Sequence, residues 1–489
     1  MKFLLYAQMD QDSIATGLGA ADYSYFFLLR AFAEVLSELG EVCLLANPAE
    51  ADILHEQCSA RGESCVLLSF TPPHKTPLGL NCPTVPVFAW EYPDIPERIQ
   101  EACWADDPRH DWRHVFLRTG RAIALSQHTV QAVKRSMGPD YPIVAIPAPF
   151  THQDHEDRVP PAKSEDCPFE IEARMADSAH MGLDVDGLVT LDEEDDTPFE
   201  PNDWESLPAP LTDSLPSGES IENPAATEDD ERAPYGCGWD IPPSKQIRTR
   251  LKGVVYTSVL TPEVGRKNWE DLITAFCWTF RNTADATLLL KLTGADLTKS
   301  HHQLLMLLTK LSPFRCRVIA LYGYIPDESY AALTEATTYY VNTSLCEGLC
   351  LPLIEFLGAG IPAIAPDNTA MADYIRDDLA FVVASYPGVP TVWPHGDYEI
   401  NRTTCHQLDW QSLAETFRLS HEVARHDPAR YRQMSRCASE AMRAYCGPEI
   451  IKNQLRAFLC PDAVASDGVE DTRQVSRPDH VDTTTDCTP

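Results

Sequence analysis

Positive charge is what this 489-residue chain has least of: 39 Lys+Arg stand against 73 Asp+Glu, a net of −34. Phosphate contacts need cations, so that balance excludes a basic nucleic-acid binder and a protein held electrostatically on anionic lipid. Long apolar runs are missing too. No stretch approaches the roughly 20 apolar residues of a membrane span. The N-terminal apolar run is broken at Gln8 and Asp10, too short for a signal core. The chain has 16 cysteines but no C-x-x-C pair and no Cys/His zinc spacing. No internal repeat of fixed period is visible. These absences set the expectation of a cytoplasmic protein whose cysteines are reduced and packed as small hydrophobes. What is present is ordinary for globular protein, 44% hydrophobic and 23% charged.

The acidity is concentrated. Residues 151–245 hold 26 Asp+Glu, 5 Lys+Arg and 12 prolines, and residues 461–489 hold 7 acids and 2 bases. High charge with low hydrophobicity cannot bury enough apolar area to offset chain entropy. The expectation is a disordered acidic linker over 151–245 and a disordered tail over 461–489, each a solvated spacer or a partner-binding segment.

Two α/β blocks flank the linker. In residues 1–150, Phe3 to Ala7 reads as a buried strand, followed by a Gly-bearing turn with Gly17 and Gly19. Tyr25, Leu28, Leu29, Phe32, Leu36 and Leu39 recur at helical spacing, and Gly40 suits a C-terminal cap. Cys65 to Ser69, Val85 to Trp90, Ala122 to Ser126 and Ile143 to Ile146 read as further strands. In residues 246–400, strands are expected at Gly253 to Ser258, Thr287 to Leu292, Val318 to Leu321, Tyr339 to Asn342, Ile361 to Ala365 and finally Phe381 to Val383. A helix capped by Asn268 carries Trp269, Leu272, Ile273, Phe276 and Phe280 on one face. Residues 401–460 carry helical patterns, expected to pack back toward the first block. Alternating strands and helices predict two doubly wound parallel sheets, with ligands in the crevice between them.

The strongest local signal is Glu347-Gly348-Leu349-Cys350-Leu351-Pro352-Leu353-Ile354-Glu355. It follows an expected strand and opens a helix, with Pro352 in the first turn. Two carboxylates eight positions apart are able to hold two different sugar rings, and the helix N-terminus between them offers amides to phosphate. A solvated loop glutamate and a helix-capping glutamate would satisfy the same spacing. Upstream, Val264-Gly265-Arg266-Lys267-Asn268-Trp269 places adjacent cations after a strand, suited to a diphosphate. Lys291, at a strand end, is a weaker phosphate candidate. Gly17 and Gly19 would let backbone amides approach phosphate or simply make a tight turn. Glu91 or Asp94, in Trp90-Glu91-Tyr92-Pro93-Asp94, would bind acceptor hydroxyls or belong to a prolyl turn with solvated acids, and His128 would contact a sugar or stand by beside a helix-capping Ser126.

Glu347 to Glu355 resembles the E-x7-E motif of retaining GT-B glycosyltransferases, in particular glycosyltransferase family 4, and Val264 to Phe276 is similar to that family's segment after the first donor-domain strand. The likeness covers about 250–385 by motif and 1–150 by pattern only. It implies an α/β GT-B fold, two Rossmann-like domains facing across a cleft, here with a long acidic insertion. It implies transfer of a hexose from a nucleoside-diphosphate sugar to a hydroxyl of a carbohydrate, lipid-linked or protein acceptor, with retention and with no metal or cofactor. Arg266 and Lys267 would hold the diphosphate, Glu347 the transferred sugar and Glu355 the ribose, with Gly348, Leu349 and Cys350 lining the donor. Many members carry Gly at the Cys350 position, and an Arg where this chain has Thr257-Ser258. The donor block has no D-x-D motif; Asp184-Val185-Asp186 lies in the linker. The alternative from another class is a GT-B-shaped protein that binds sugar nucleotide or a partner without turnover, using the acidic linker. An epimerase or a phosphorylase would share the architecture.

Overall fold

The computed structural model describes residues 1–8, 23–99, 102–104, 106–150, 167–181, 183, 240–389 and 403–460. Gly17, Gly19, Asp184, most of the acidic stretch and the tail 461–489 lie outside the described residues.

The first unit runs β1 (Lys2–Tyr6), α1 (Tyr23–Ser37), β2 (Glu41–Leu45), α2 (Glu50–Ala60), β3 (Cys65–Phe70), β4 (Thr84–Phe88), α3 (Trp112–Thr119), β5 (Ala122–Ala124), α4 (Gln127–Met137) and β6 (Ile143–Ala145). Its six strands are all parallel, in the order β2-β1-β3-β4-β5-β6. Parallel strands covered on both faces need apolar residues at every position, and β3 is buried throughout, as Cys65-Val66-Leu67-Leu68-Ser69-Phe70 shows. Ser126 caps α4, its hydroxyl accepting from the Thr129 amide at 3.2 Å.

The second unit runs β7 (Cys167–Asp177), β8 (Lys245–Leu251), β9 (Val254–Leu260), α5 (Trp269–Thr279), β10 (Ala286–Leu292), α6 (Leu297–Leu311), β11 (Arg317–Tyr322), α7 (Asp327–Ala336), β12 (Tyr339–Val341), α8 (Leu351–Gly358), β13 (Ala363–Ala365) and β14 (Ala380–Val382). The sheet order is β14-β13-β12-β9-β10-β11-β7-β8. Its six strands from β14 to β11 are parallel, and their order reverses between β9 and β12, where a doubly wound sheet opens its crevice. The chain is therefore an α/β protein with two Rossmann-like units.

Three expectations need correction. Residues 151–245 are not all linker: β7 lies inside them and pairs antiparallel with β11 and β8. Phe169, Ile171, Ala173 and Met175 are buried while Glu170 and Glu172 point outward. That period-two alternation is a strand signal that the acidic average of the surroundings concealed. Next, Phe381 to Val383 is not the last strand. A hairpin of β15 (Ser385–Gly388) and β16 (Cys405–Leu408) follows β14. Finally, Asn268 precedes α5 but does not cap it: its backbone is left-handed (φ 51°) and its side chain makes no cap bond.

Helices α9 (Trp410–His426), α10 (Pro428–Cys446) and α11 (Pro448–Leu459) complete the fold. Tyr431 on α10 donates its hydroxyl to the Thr338 carbonyl at 2.8 Å, within the second unit. α11 returns to the first unit. Ile451, Leu455 and Leu459 share a core with Phe3, Phe32 and Leu36, and Lys452 bonds Glu38 at 2.7 Å.

Candidate active site

Loops at the carboxyl ends of β9 and β12 flank the strand-order reversal, and they carry the sequence candidates. Arg266 and Lys267 lie in a single 3-10 turn after β9. Glu347 lies in the loop between β12 and α8. The Arg266 guanidinium donates to Glu347 Oε2 at 2.9 Å, and the Lys267 ammonium donates to Glu347 Oε1. Arg266 Nε also lies 2.9 Å from Glu91 Oε1, so one guanidinium joins the two units. Two cations face two carboxylates in one network.

Burial alone would push the Glu347 carboxyl up. Arg266 and Lys267 outweigh it and hold the group down at about 2. Burial likewise disfavours charge on Arg266, and Glu347 and Glu91 overcome it. Glu347 and Arg266 are therefore both ionised at neutral pH.

The Glu347 loop is fixed from several sides. Its amide donates to Thr369 Oγ1 at 2.9 Å, and its carbonyl accepts from the Ala370 amide at 3.2 Å. The Leu345 amide donates to the Arg266 carbonyl at 2.7 Å, and Tyr374 donates to the Leu349 carbonyl at 2.7 Å. Asn268, Cys350 and Thr369 are the non-glycine residues with positive φ among the described residues, and all three border this loop. Left-handed backbone costs such residues roughly 1–3 kcal/mol and gathers at functional sites. Cys350 sits at φ 68°, where glycine would be unstrained. Its buried sulfur accepts from Asn342 Nδ2 at 3.3 Å. Gly348 permits a close approach: a Cβ there would meet Ala89 Cβ and the Trp90 amide nitrogen, each at 2.8 Å.

Glu355, on α8, makes a second centre. It accepts from the Tyr330 hydroxyl at 2.8 Å. Burial raises its carboxyl to about 7, against the opposing pull of that bond and of Lys291. Lys291, near the end of strand β10, is 6% exposed, and burial lowers it to about 8, with the Glu355 charge acting to raise it. Leu349 and Cys350 lie between the two centres and lead into α8, which no side chain caps.

The remaining candidates are placed as follows. Glu91 is at the crevice, committed to Arg266. Asp94 pairs with Arg135 at 3.2 Å and accepts from Thr403 Oγ1 at 3.3 Å. His128 Nε2 lies 3.1 Å from the Glu91 carbonyl, and burial lowers its basicity. Sequence reasoning missed Tyr330 and Thr369, which reach the site from α7 and from the segment after β13. No local spacing marks either, because both act through packing between distant elements. Among the described residues, no helix is long and apolar enough to cross a membrane.

No known family model matches this sequence, and no curated protein does. Solved structures resemble it in chain path. A sucrose-phosphate synthase from Thermosynechococcus elongatus is 13% identical, with 95% of this chain and 99% of that one covered and a TM-score of 0.49. HepE from Anabaena, in complex with UDP and glucose, is 13% identical over 95% of this chain and 100% of that one, with a TM-score of 0.48. A glycosyltransferase from Rickettsia africae is 10% identical over 94% and 98%, with a TM-score of 0.46.

Proposed function

We propose that this protein is a retaining GT-B glycosyltransferase of family 4 type, transferring a hexose from a nucleoside-diphosphate sugar to an acceptor hydroxyl. The observation that carries the proposal is the convergence of Arg266 and Lys267 on Glu347, each from a loop beside the strand-order reversal. A diphosphate entering this network replaces one carboxylate partner of the cations with another anion, so no charge is left bare. Glu347 then turns its carboxylate to hydroxyls of the transferred sugar. Glu355, which Tyr330 orients, accepts from the two ribose hydroxyls. Gly348, Leu349 and Cys350 border the donor between these centres, and Lys291 tunes Glu355. Gly17 and Gly19, outside the described residues, remain donor-phosphate candidates on sequence alone. The unit of residues 1–150 takes the acceptor, with Glu91, Asp94 and His128 at its edge, and residues 246–400 take the donor. Retention follows from attack on the face the leaving phosphate vacates, the phosphate oxygen accepting the acceptor's proton. No metal or cofactor is required for that step.

The test is donor-saturation kinetics together with calorimetric binding of UDP, GDP and ADP. Lys267→Ala weakens nucleotide-sugar binding by at least ~1.5 kcal/mol, as for a charged hydrogen bond. Glu347→Gln chiefly lowers turnover, because contacts at the reacting ring strengthen in the transition state. Glu355→Gln chiefly raises the Michaelis constant, because the ribose does not react. Nucleotide binding without sugar transfer or donor hydrolysis would favour the non-catalytic reading. Failure of all three nucleotides to bind would remove both.

A further inference from the structure

At the amino ends of β3 and β4, on the far side of the first sheet from the crevice, four soft ligands gather. His55 and Cys58 stand three positions apart on α2 and so share a face. Cys65 opens β3, and Cys82 precedes β4. His55 Nδ1, Cys65 Sγ and Cys82 Sγ lie within 4.8 Å of one another. Cys58 Sγ stands outside that group of three and accepts from Arg61 Nη2 at 3.8 Å, and its thiol interacts electrically with those of Cys65 and Cys82. The three cysteines are buried at 0%, 5% and 2% exposure. His55 Nδ1 is sealed from solvent and has no hydrogen-bond partner among the described residues.

That last observation separates this cluster from ordinary buried thiols. A polar nitrogen withdrawn from water costs free energy unless something accepts or donates to it. A disulfide between Cys65 and Cys82 would satisfy two sulfurs and leave His55 Nδ1 without a partner. A cation among His55, Cys65 and Cys82 satisfies those three at once, and Cys58 completes the set by turning from Arg61. Three thiolates and one imidazole form a tetrahedral zinc donor set, with metal–ligand distances of about 2.0–2.3 Å. His55, Cys65 and Cys82 need to draw in by about an ångström to reach them, and Cys58, outside their 4.8 Å grouping, has farther to move.

The backbone around the cluster is already fixed. The Cys82 amide donates to Asp52 Oδ1 on α2 at 2.9 Å, the Glu63 amide to the Cys58 carbonyl at 2.9 Å, and the Leu67 amide to the Pro83 carbonyl at 2.8 Å. Leu4, Leu45, Ala51 and Leu67 pack around the thiols and keep water out. The sequence spacing is H-x2-C-x6-C-x16-C, which contains no close cysteine pair, and only the fold brings the four together.

We propose that His55, Cys58, Cys65 and Cys82 bind one zinc ion in a closed, structural site that ties α2 to the start of β3 and β4. All four positions are filled by protein, so no position is open for substrate, and the site is independent of the sugar-transfer reading. The test is the metal content of the full chain, purified under reducing conditions without added metal. About one zinc per chain is expected, retained on dialysis against a weak chelator and released when a mercurial reagent titrates the thiols. Cobalt(II) in its place gives thiolate-to-cobalt charge-transfer absorption and tetrahedral d–d bands. Cys82→Ser lowers zinc content by at least roughly tenfold, while His55→Cys, which keeps four soft ligands, retains it. If Cys82→Ser does not fold, the cobalt spectrum of the unaltered chain decides. A chain that holds no zinc and shows no cobalt–thiolate absorption overturns the proposal. So does zinc lost to the weak chelator, or a Cys65–Cys82 disulfide in the native mass map.

Discussion

Arg266 of the second unit and Glu91 of the first form an ion pair across the crevice, Nε to Oε1 at 2.9 Å. Both side chains are about one-fifth exposed, so the pair is neither bare to solvent nor sealed from it. It holds the units together and occupies the guanidinium a diphosphate would want. Glu91→Gln removes the competing charge. Nucleoside diphosphate then binds more tightly, by roughly threefold to tenfold, the worth of about 1 kcal/mol for a pair of this exposure. Calorimetry on the variant checks it; equal or weaker affinity means that phosphate does not displace Glu91.

Glu355 gives a pH signature. Its carboxyl is raised to about 7, and in the proposed ribose-binding role two hydroxyls are better accepted by the carboxylate than by the acid. Donor affinity therefore rises as pH climbs through about 7 and levels off above it. In Glu355→Gln the rise disappears. The same shift acts on stability with the opposite sense. A carboxyl raised on folding contributes stability below its unfolded value near 4.5, and that contribution is lost as pH rises toward 7. The Tm of Glu355→Gln relative to the unaltered chain should thus increase across that window, read by calorimetric melts at fixed ionic strength.

Gly348→Ala addresses the approach of the two units. The added Cβ would lie 2.8 Å from Ala89 Cβ and from the Trp90 amide nitrogen, neither of which is a flexible side-chain end. The units must part slightly, and the proposed donor and acceptor centres part with them. Sugar transfer falls by roughly 10²-fold, the scale of a small misplacement of reacting groups, while nucleotide binding changes less. Single-turnover kinetics and calorimetry separate the two. Normal transfer in this variant means that the crevice does not close on Gly348.

Strand β7 belongs to the fold despite its acidic neighbourhood. Ile171 is 1% exposed and packs with Ile247 and Val255, so Ile171→Ala costs about 2–5 kcal/mol. Glu172, next to it and pointing outward, costs less than about 0.5 kcal/mol when replaced by Ala. Denaturant melts of both variants make the comparison. Equal effects would mean that the alternation of β7 carries no packing.

The sheets were legible because parallel, two-faced burial writes itself as short apolar runs, as at Phe3 to Leu5 and Leu288 to Leu290. The Glu347 segment was legible because one loop and one helix carry the whole motif in nine consecutive positions. What escaped was pairing at a distance. Nothing in Trp90-Glu91-Tyr92 announces that Glu91 will meet Arg266, and Tyr330 reaches Glu355 only because α7 packs beside α8. β7 escaped for a different reason. Composition averaged over many residues hides an eleven-residue strand whose outward positions include Glu170 and Glu172.

The return of α11 to the first unit has a consequence for synthesis. Ile451, Leu455 and Leu459 complete a core begun by Phe3, Phe32 and Leu36, so the unit made earliest leaves the ribosome with that apolar surface uncovered. N-terminal domains usually fold as they emerge. Here the first unit must wait, partly open, for a helix translated more than 400 positions later, and the Lys452–Glu38 bond closes only once the second unit is already in being.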